Sequence, residues 1–315
     1  MESPLVSVII PTYNRAEYLK HAIESVLAQS YINFELLILD NCSTDRTPDV
    51  IEQFNDIRIK YIRHQCNIRS LANWSYGVFW AKGEFISILG DDDFYNPNFI
   101  ESRIHAFEKY EDLVAVFSNY DNCNEFGVYI YTSPLCFNHE KVITGNELLN
   151  LAVNLEWFIG STLYKREIVV NLFEKSLMAG KSCDVSLNIN IALKKNHNQV
   201  AWICDKGLNY RRHNTQDSAL AAEMAIIGFT VACSLPLKFD EYMKQRKILR
   251  NGTIWAYKIL GSNAWYTKRT KMARRFTRYE ILTNPFRIKP WLKLFIYSTL
   301  SLSKRSINKA PQKHI

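Results

Sequence analysis

The sequence predicts an α/β protein, a mostly parallel sheet flanked by helices, with a helical carboxyl-terminal extension. Three observations carry this. Short β-rich runs alternate with stretches of helical spacing over the first 120 residues, the pattern of parallel strands joined by covering helices. Helix starts are signed between the runs, as where Thr47 is followed by Pro48. Beyond residue 220 the readable spacing is helical throughout. At 315 residues and 47% apolar the chain can bury one large core or two modest ones, which excludes disorder, collagen and a disulfide scaffold.

In chain order, strands are expected at 6–10, 34–39, 57–62, 85–89 and 113–117. Between them lie helices marked by Tyr18, Ala22, Ile23, Val26 and Leu27, by Val50, Ile51 and Phe54, and by the stretches 71–80 and 99–107. Thr47 followed by Pro48 reads as an N-cap with proline at the first helical position, where its missing N–H costs nothing. Then come strands at 128–131 and 161–164, helices beginning near Asn146, Arg166 and Asp184, and a strand at 200–204. A boundary is placed near residue 222, separating a catalytic α/β domain (1–222) from a helical, basic region (223–315).

Charge is uneven along the chain. Residues 1–240 hold 21 Lys+Arg and 29 Asp+Glu, a net −8; residues 241–315 hold 18 and 2, a net +16. Such a field attracts anionic partners and says nothing about the fold of the front part. Lys271, Arg274, Arg275 and Arg278 fall at i, i+3, i+4 and i+7, beside a stripe of Met272, Phe276 and Tyr279. After Pro290, an apolar run from Trp291 to Tyr297 is flanked by lysines. Both suit a helix lying on an anionic membrane surface. No stretch is long and apolar enough to span a bilayer, and the chain runs directly into its first strand without a basic leader. The seven cysteines are odd in number and form no C-x-x-C pair, so neither a disulfide framework nor structural zinc is expected. The expected location is cytoplasmic, peripheral on the inner face of the cell membrane.

Ligands of such sheets sit beyond the carboxyl ends of the strands. The residues there are Pro11-Thr12-Tyr13-Asn14, Asp40-Asn41-Cys42-Ser43 and Gly90-Asp91-Asp92-Asp93. Three adjacent carboxylates need a compensating cation or donors, and hard divalent ions such as Mg²⁺ or Mn²⁺ take carboxylate oxygens together with water and phosphate. Asp40 and Asn41 offer an acceptor and a donor suited to ribose or a nucleobase. Neither G-x-G-x-x-G nor G-x-x-x-x-G-K-S/T occurs, which disfavours Rossmann dehydrogenases and P-loop enzymes.

Four ordered motifs, the run from Val6 to Arg15, Leu39-Asp40-Asn41-Cys42-Ser43-Thr44-Asp45, Ala81-Lys82-Gly83-Glu84-Phe85-Ile86 and Leu89-Gly90-Asp91-Asp92-Asp93, resemble those of the family 2 glycosyltransferases. The resemblance is strong over 5–110 and weaker over 157–217. It implies a GT-A fold and metal-assisted, inverting transfer of a sugar from a nucleotide diphosphate donor to an acceptor hydroxyl. It implies that Pro11, Tyr13, Asp40 and Asn41 line the nucleoside pocket, that Asp92 binds the metal, and that Asp91 or Asp93 lies close to ribose and diphosphate. Tyr210-Arg211-Arg212-His213 is similar to the family's Y-R-x-H element, which brings His213 to the metal or diphosphate and Arg211 and Arg212 to the leaving-group charge. Asp184, at the start of a helix followed by a strand, matches the family's catalytic base. Three departures stand out: Asp40-Asn41-Cys42 replaces the usual Asp-Asp-Gly, Gly90 stands where Asp is usual, and Cys183 stands where Glu precedes the base in many relatives. Together with the basic tail, the resemblance implies a lipid-linked saccharide acceptor, as in bacterial surface polysaccharide assembly. A sugar-phosphate nucleotidyltransferase would share the sheet and carboxylates, but Pro11 to Arg15 lacks its glycine-rich loop. A nucleic-acid-binding protein led by the tail is opposed by the acidic body, and no nucleic-acid partner is expected.

Overall fold

The computed structural model describes residues 3–133, 137–154, 156–177, 183–194 and 199–213, with the isolated residues 277, 278 and 290. The chain divides into two units, Met1–Ala219 and Leu220–Ile315. The expected boundary near residue 222 and the helices of the basic region lie outside the described residues.

The first unit begins with β1 (Val6–Thr12), α1 (Ala16–Leu27), β2 (Phe34–Asp40), α2 (Thr47–Glu52), β3 (Ile59–Arg63), α3 (Ser70–Trp80) and β4 (Phe85–Ile88). There follow β5 (Phe94–Tyr95), α4 (Phe99–Lys109), β6 (Leu113–Cys123), β7 (Tyr129–Thr132), β8 (Lys141–Ile143) and α5 (Gly145–Val153). A 3₁₀ turn at Ile159–Ser161 leads into β9 (Thr162–Lys165), α6 (Arg166–Leu177), α7 (Cys183–Leu193) and β10 (Gln199–Arg211). The strands form one sheet in the order β3-β2-β1-β4-β9-β6-β10-β5, with β7 on β6 and β8 on β10. β1 is parallel to β2 and β4, and β2 to β3. β9 is antiparallel to both β4 and β6, so β6 and its parallel neighbour β10 point the same way as β1. The carboxyl ends of β1, β2, β3, β4, β6 and β10 therefore share one edge.

The core follows from sequence spacing. All seven residues of β2 are buried. On α1, Leu19, Ala22, Ile23 and Val26, at i, i+3, i+4 and i+7, are buried and pack with Val6, Val8, Ile10, Leu36 and Ile38. Each of the Val, Leu and Ile side chains among them contributes roughly 1.5–3 kcal/mol. The other face of β1 receives α3 closely, because Gly77 has no side chain: a Cβ there would lie 2.4 Å from Leu39 and 2.7 Å from Ile9.

Three details differ from expectation. β6 and β10 run on past 117 and 204 through polar residues to the edge of the sheet. β5 and β8, of two and three residues, are too short to show a period. Thr47 does not cap α2, which it begins. Its hydroxyl instead accepts the backbone N–H of Arg15 at 3.3 Å.

Candidate active site

The loops after β1 and β2 are stitched together. Asn14 donates its N–H to the Ser43 hydroxyl at 2.9 Å, and its side-chain oxygen accepts the Thr44 N–H at 2.8 Å. Asn14 and Cys42 both adopt left-handed backbone, φ 54° and 65°. The Asp40 carboxylate is wholly buried and takes the Ser43 N–H at 2.8 Å, the Tyr61 hydroxyl at 2.9 Å and Arg63 at 3.2 Å. Tyr61 is pushed well up by burial and by that bond. Asn41 reaches the other way: its amide donates to Asn67 at 3.1 Å and accepts the Ile68 N–H at 2.8 Å. Asp40 thus holds its own loop while Asn41 holds the segment leading into α3. Beside them Pro11 is partly exposed and Tyr13 exposed.

The acidic turn after β4 aims its three carboxylates at two segments, the loop after β1 and the end of β10. Asp91 accepts the Tyr13 N–H and faces Arg15 at 4.0 Å. Burial, then the neighbouring Asp92, raises its pKa, and Arg15 opposes them. Asp93 is buried and accepts the Arg211 N–H at 2.8 Å; burial and Asp92 also raise it. Asp92 meets His213, Oδ2 to Nε2, at 2.9 Å. The His213 ring in turn lies against Tyr18 at 4.7 Å. Gly90 makes this fan possible, since a Cβ there would come within 2.9 Å of an Asp92 oxygen and 3.1 Å of an Asp93 oxygen. The glycine where Asp is usual has that steric reason.

Arg211 ties the corner together. Its guanidinium donates to the Asp92 carbonyl at 2.7 Å, the Glu125 carbonyl at 2.7 Å and His21 Nδ1 at 2.9 Å. It lies over the rings of Tyr18 and Phe94. Burial, with Arg211 beside it, lowers the pKa of His21, in keeping with a neutral acceptor. Arg212 points elsewhere, donating to Asn122 at 2.9 Å and to the Tyr131 hydroxyl at 2.8 Å.

The structure therefore gathers Pro11, Tyr13, Asp40, Asn41, Asp91, Asp92, Asp93, Arg211, Arg212 and His213 at one edge of the sheet. Asp184 is in the first turn of α7. Its described neighbours are Cys183 and Tyr164, and burial raises its pKa. Trp157 and Tyr164 are core residues at 3% and 0% exposure, and Phe158 is partly buried against the core. Sequence reasoning gave no role to Arg15, Tyr18 and His21. Their i, i+3, i+6 spacing at the start of α1, directly after the first motif, was the available signal.

The residues present fit a divalent cation in one way. Asp92 and His213 bring one carboxylate and one imidazole together, donors that suit Mn²⁺ and, through the carboxylate, Mg²⁺. Among the described residues no three His, Cys, Asp or Glu side chains are gathered for a metal. Such a cation would complete its shell with water and the phosphate oxygens of a ligand.

The family model described as glycosyl transferase family 2 matches residues 7–170, just over half of the chain. The chain belongs to that family. An uncharacterised glycosyltransferase of Rickettsia typhi is 33% identical over 180 residues, 56% of this chain and 55% of that protein, so the match spans about half the length of each. Among solved structures, residues 1–349 of Staphylococcus aureus TarS in complex with UDP-GlcNAc superpose with a TM-score of 0.69 at 18% identity, covering 96% of this chain and 91% of that one. The mannosyltransferase PcManGT of Pyrobaculum calidifontis, in complex with GDP-Man and Mn²⁺, gives 0.51 at 16% identity, covering 98% and 89%. At such identities the likeness is one of fold, and the fold of this family 2 member is GT-A-like.

Proposed function

We propose that this chain moves a sugar from a nucleotide diphosphate donor to an acceptor hydroxyl by inverting displacement. The observation that carries the reading is the meeting of Asp92 and His213 where the strands end, in a chain of this family. The nucleotide sugars in the solved TarS and PcManGT complexes support the donor class, and the Mn²⁺ in the latter supports a divalent cofactor.

In this reading Pro11, Tyr13, Asp40 and Asn41 receive the nucleoside, with Asp91 and Arg15 facing the diphosphate. Asp92 and His213 hold Mg²⁺ or Mn²⁺, which when bound neutralises charge on the departing diphosphate. Arg211, buried and bonded on every side, fixes Asp92 and the Glu125 loop in place. Asp184 takes the proton of the acceptor hydroxyl; a pKa raised by burial brings a carboxylate closer to the working range of a general base. Residues 1–222 form the catalytic domain and 223–315 the membrane-associating region, which together suit a lipid-linked saccharide acceptor at an anionic membrane surface. No helix among the described residues is long and apolar enough to cross a membrane.

The test is a thermal-shift panel of UDP, GDP, TDP and CDP, with and without Mn²⁺, on the wild type and Asp92→Ala. One nucleotide stabilises the wild type when metal is present, by about 2.7 kcal/mol at a hundredfold excess over its Kd, and Asp92→Ala abolishes the effect. Absence of any metal-dependent shift in the wild type refutes the reading.

A further inference from the structure

Two rings three residues apart on α1, Tyr18 and His21, share one side of the helix. Tyr18 lies against the His213 ring at 4.7 Å, and its own ring centroid is 5.1 Å from the Arg211 guanidinium. His21 stacks on Phe94 of β5, with centroids 4.1 Å apart and planes 23° from parallel. That stacking fixes the imidazole, and its Nδ1 meets Nη2 of Arg211 at 2.9 Å. A guanidinium can only donate, so Nδ1 is the unprotonated nitrogen of a neutral ring.

The other arms of Arg211 carry the corner. Nε donates to the Asp92 carbonyl and Nη1 to the Glu125 carbonyl, each at 2.7 Å. One planar group therefore spans α1, the acidic turn and the turn between β6 and β7, and any rotation of it strains these bonds together. Arg211 is 4% exposed, whereas His21 keeps an outer side in water. The turn between β6 and β7 closes on the same pair, since a Cβ on Gly127 would lie 3.5 Å from Arg211 and 3.8 Å from His21. The choice of acceptor also matters for charge. A carboxylate at this place would cancel the positive charge that Arg211 presents to Asp93; a neutral imidazole holds the guanidinium and leaves that charge in force.

We propose that His21 is a positioning residue of the transfer site: it holds the Arg211 guanidinium in the orientation that grips the Asp92 main chain, and so sets the carboxylate that meets His213. Removing the acceptor takes an anchor from a buried cation. The guanidinium then turns toward water, and the Asp92 and Glu125 carbonyls lose their common support.

The consequence for metal rests on the transferase reading, while the anchoring does not, so two readouts are taken. The full chain is compared as wild type, His21→Ala and His21→Asn. Alanine suits a helix and offers no acceptor, whereas the asparagine Oδ1 stands close to the place of Nδ1. The first readout is the Mn²⁺ concentration that gives half of the metal-dependent nucleotide shift. The second is hydrogen exchange at the Asn124 and Gly127 N–H groups, which close the turn between β6 and β7 on the Val128 and Asn124 carbonyls at 2.9 and 3.0 Å. His21→Ala needs about three- to tenfold more Mn²⁺, less than the roughly 10–100-fold that partners touching a metal ligand contribute, because His21 acts through Arg211. Both N–H groups exchange faster in it, and His21→Asn restores both readouts. An unchanged Mn²⁺ requirement in His21→Ala overturns the proposal, even if that variant melts lower. So does a failure of His21→Asn to restore what alanine loses, since bulk rather than an acceptor would then be at work. A wild type without a nucleotide shift at any Mn²⁺ concentration sinks the transferase reading instead, and exchange alone then decides: a turn loosened by alanine and tightened by asparagine upholds the hold on Arg211, and an unchanged turn dismisses it.

Discussion

Asp184 sits where a charge is unfavourable. Burial raises its pKa, and the N–H groups of the first turn of α7 only partly offset this. An acid held above its unfolded value keeps its proton longer in the folded state, so its contribution to stability is fullest at low pH and is lost as pH rises through the folded value. Asp184→Asn removes that loss and keeps a side chain suited to a helix start. The variant is therefore expected to melt higher than the wild type at neutral pH while transfer falls by roughly 10²–10⁴. In the wild type the acid limb of kcat should lie above the ordinary carboxylate value of 3.8. A thermal melt and a pH–rate profile check both, and undiminished transfer by the variant would remove Asp184 from the base role. Cys42 makes a simpler case. Its left-handed backbone, φ 65°, costs an L-residue roughly 1–2 kcal/mol, and glycine avoids this while losing about 0.5–1 kcal/mol of chain freedom. Cys42→Gly should gain about 0.5–1 kcal/mol in urea unfolding, the difference being reduced by the weak Cys42 Sγ contact to the Gln65 carbonyl at 3.6 Å.

At the scale of elements, the acidic turn depends on its first residue having no side chain. In Gly90→Ala the new methyl meets the Asp92 oxygen at 2.9 Å, and the carboxylate must swing away from His213. Displacing a group that sets a ligand's orientation commonly costs 10–100-fold in metal affinity. The Mn²⁺-dependent nucleotide shift should need at least about tenfold more metal, with the ligand-free melting temperature little changed; an unchanged metal titration would show that Asp92 need not hold its present rotamer. This turn also shows what was legible beforehand. Strands 6–10, 34–39 and 85–89 read clearly because buried parallel strands are continuous apolar runs. The site-bearing ends of β6 and β10 did not, because Ser118 to Asn122 and Asp205 to Arg211 interrupt the apolar pattern. Cross-strand pairing from Leu208 to Arg211 and side-chain bonds such as Asn119 to the Ser133 carbonyl at 3.2 Å hold them instead. The acidic turn and His213 were legible as motifs. The anchoring of Arg211 on His21, 190 positions away, leaves no local trace in either segment.

At the scale of the whole molecule, charge is distributed against function in an instructive way. A donor diphosphate is anionic, yet residues 1–240 carry a net −8 and the positive charge is concentrated in residues 241–315 at +16. Among the described residues at the sheet edge, Arg211 holds backbone carbonyls, Arg63 faces Asp40, Arg15 faces Asp91 and Arg212 bonds to Asn122 and Tyr131. The +16 is thus more than the donor site requires and suits a large anionic surface, to which each Lys or Arg near the bilayer contributes about 1 kcal/mol. If the proposed peripheral attachment holds, the full chain sediments with phosphatidylglycerol-containing vesicles at low ionic strength. It is progressively released as salt shortens the screening length from roughly 10 Å at 0.1 M to about 3 Å at 1 M. A chain ending at residue 261 should stay in the supernatant throughout while keeping its nucleotide shift. Sedimentation of that shorter chain to the same extent would move the attachment to the catalytic domain.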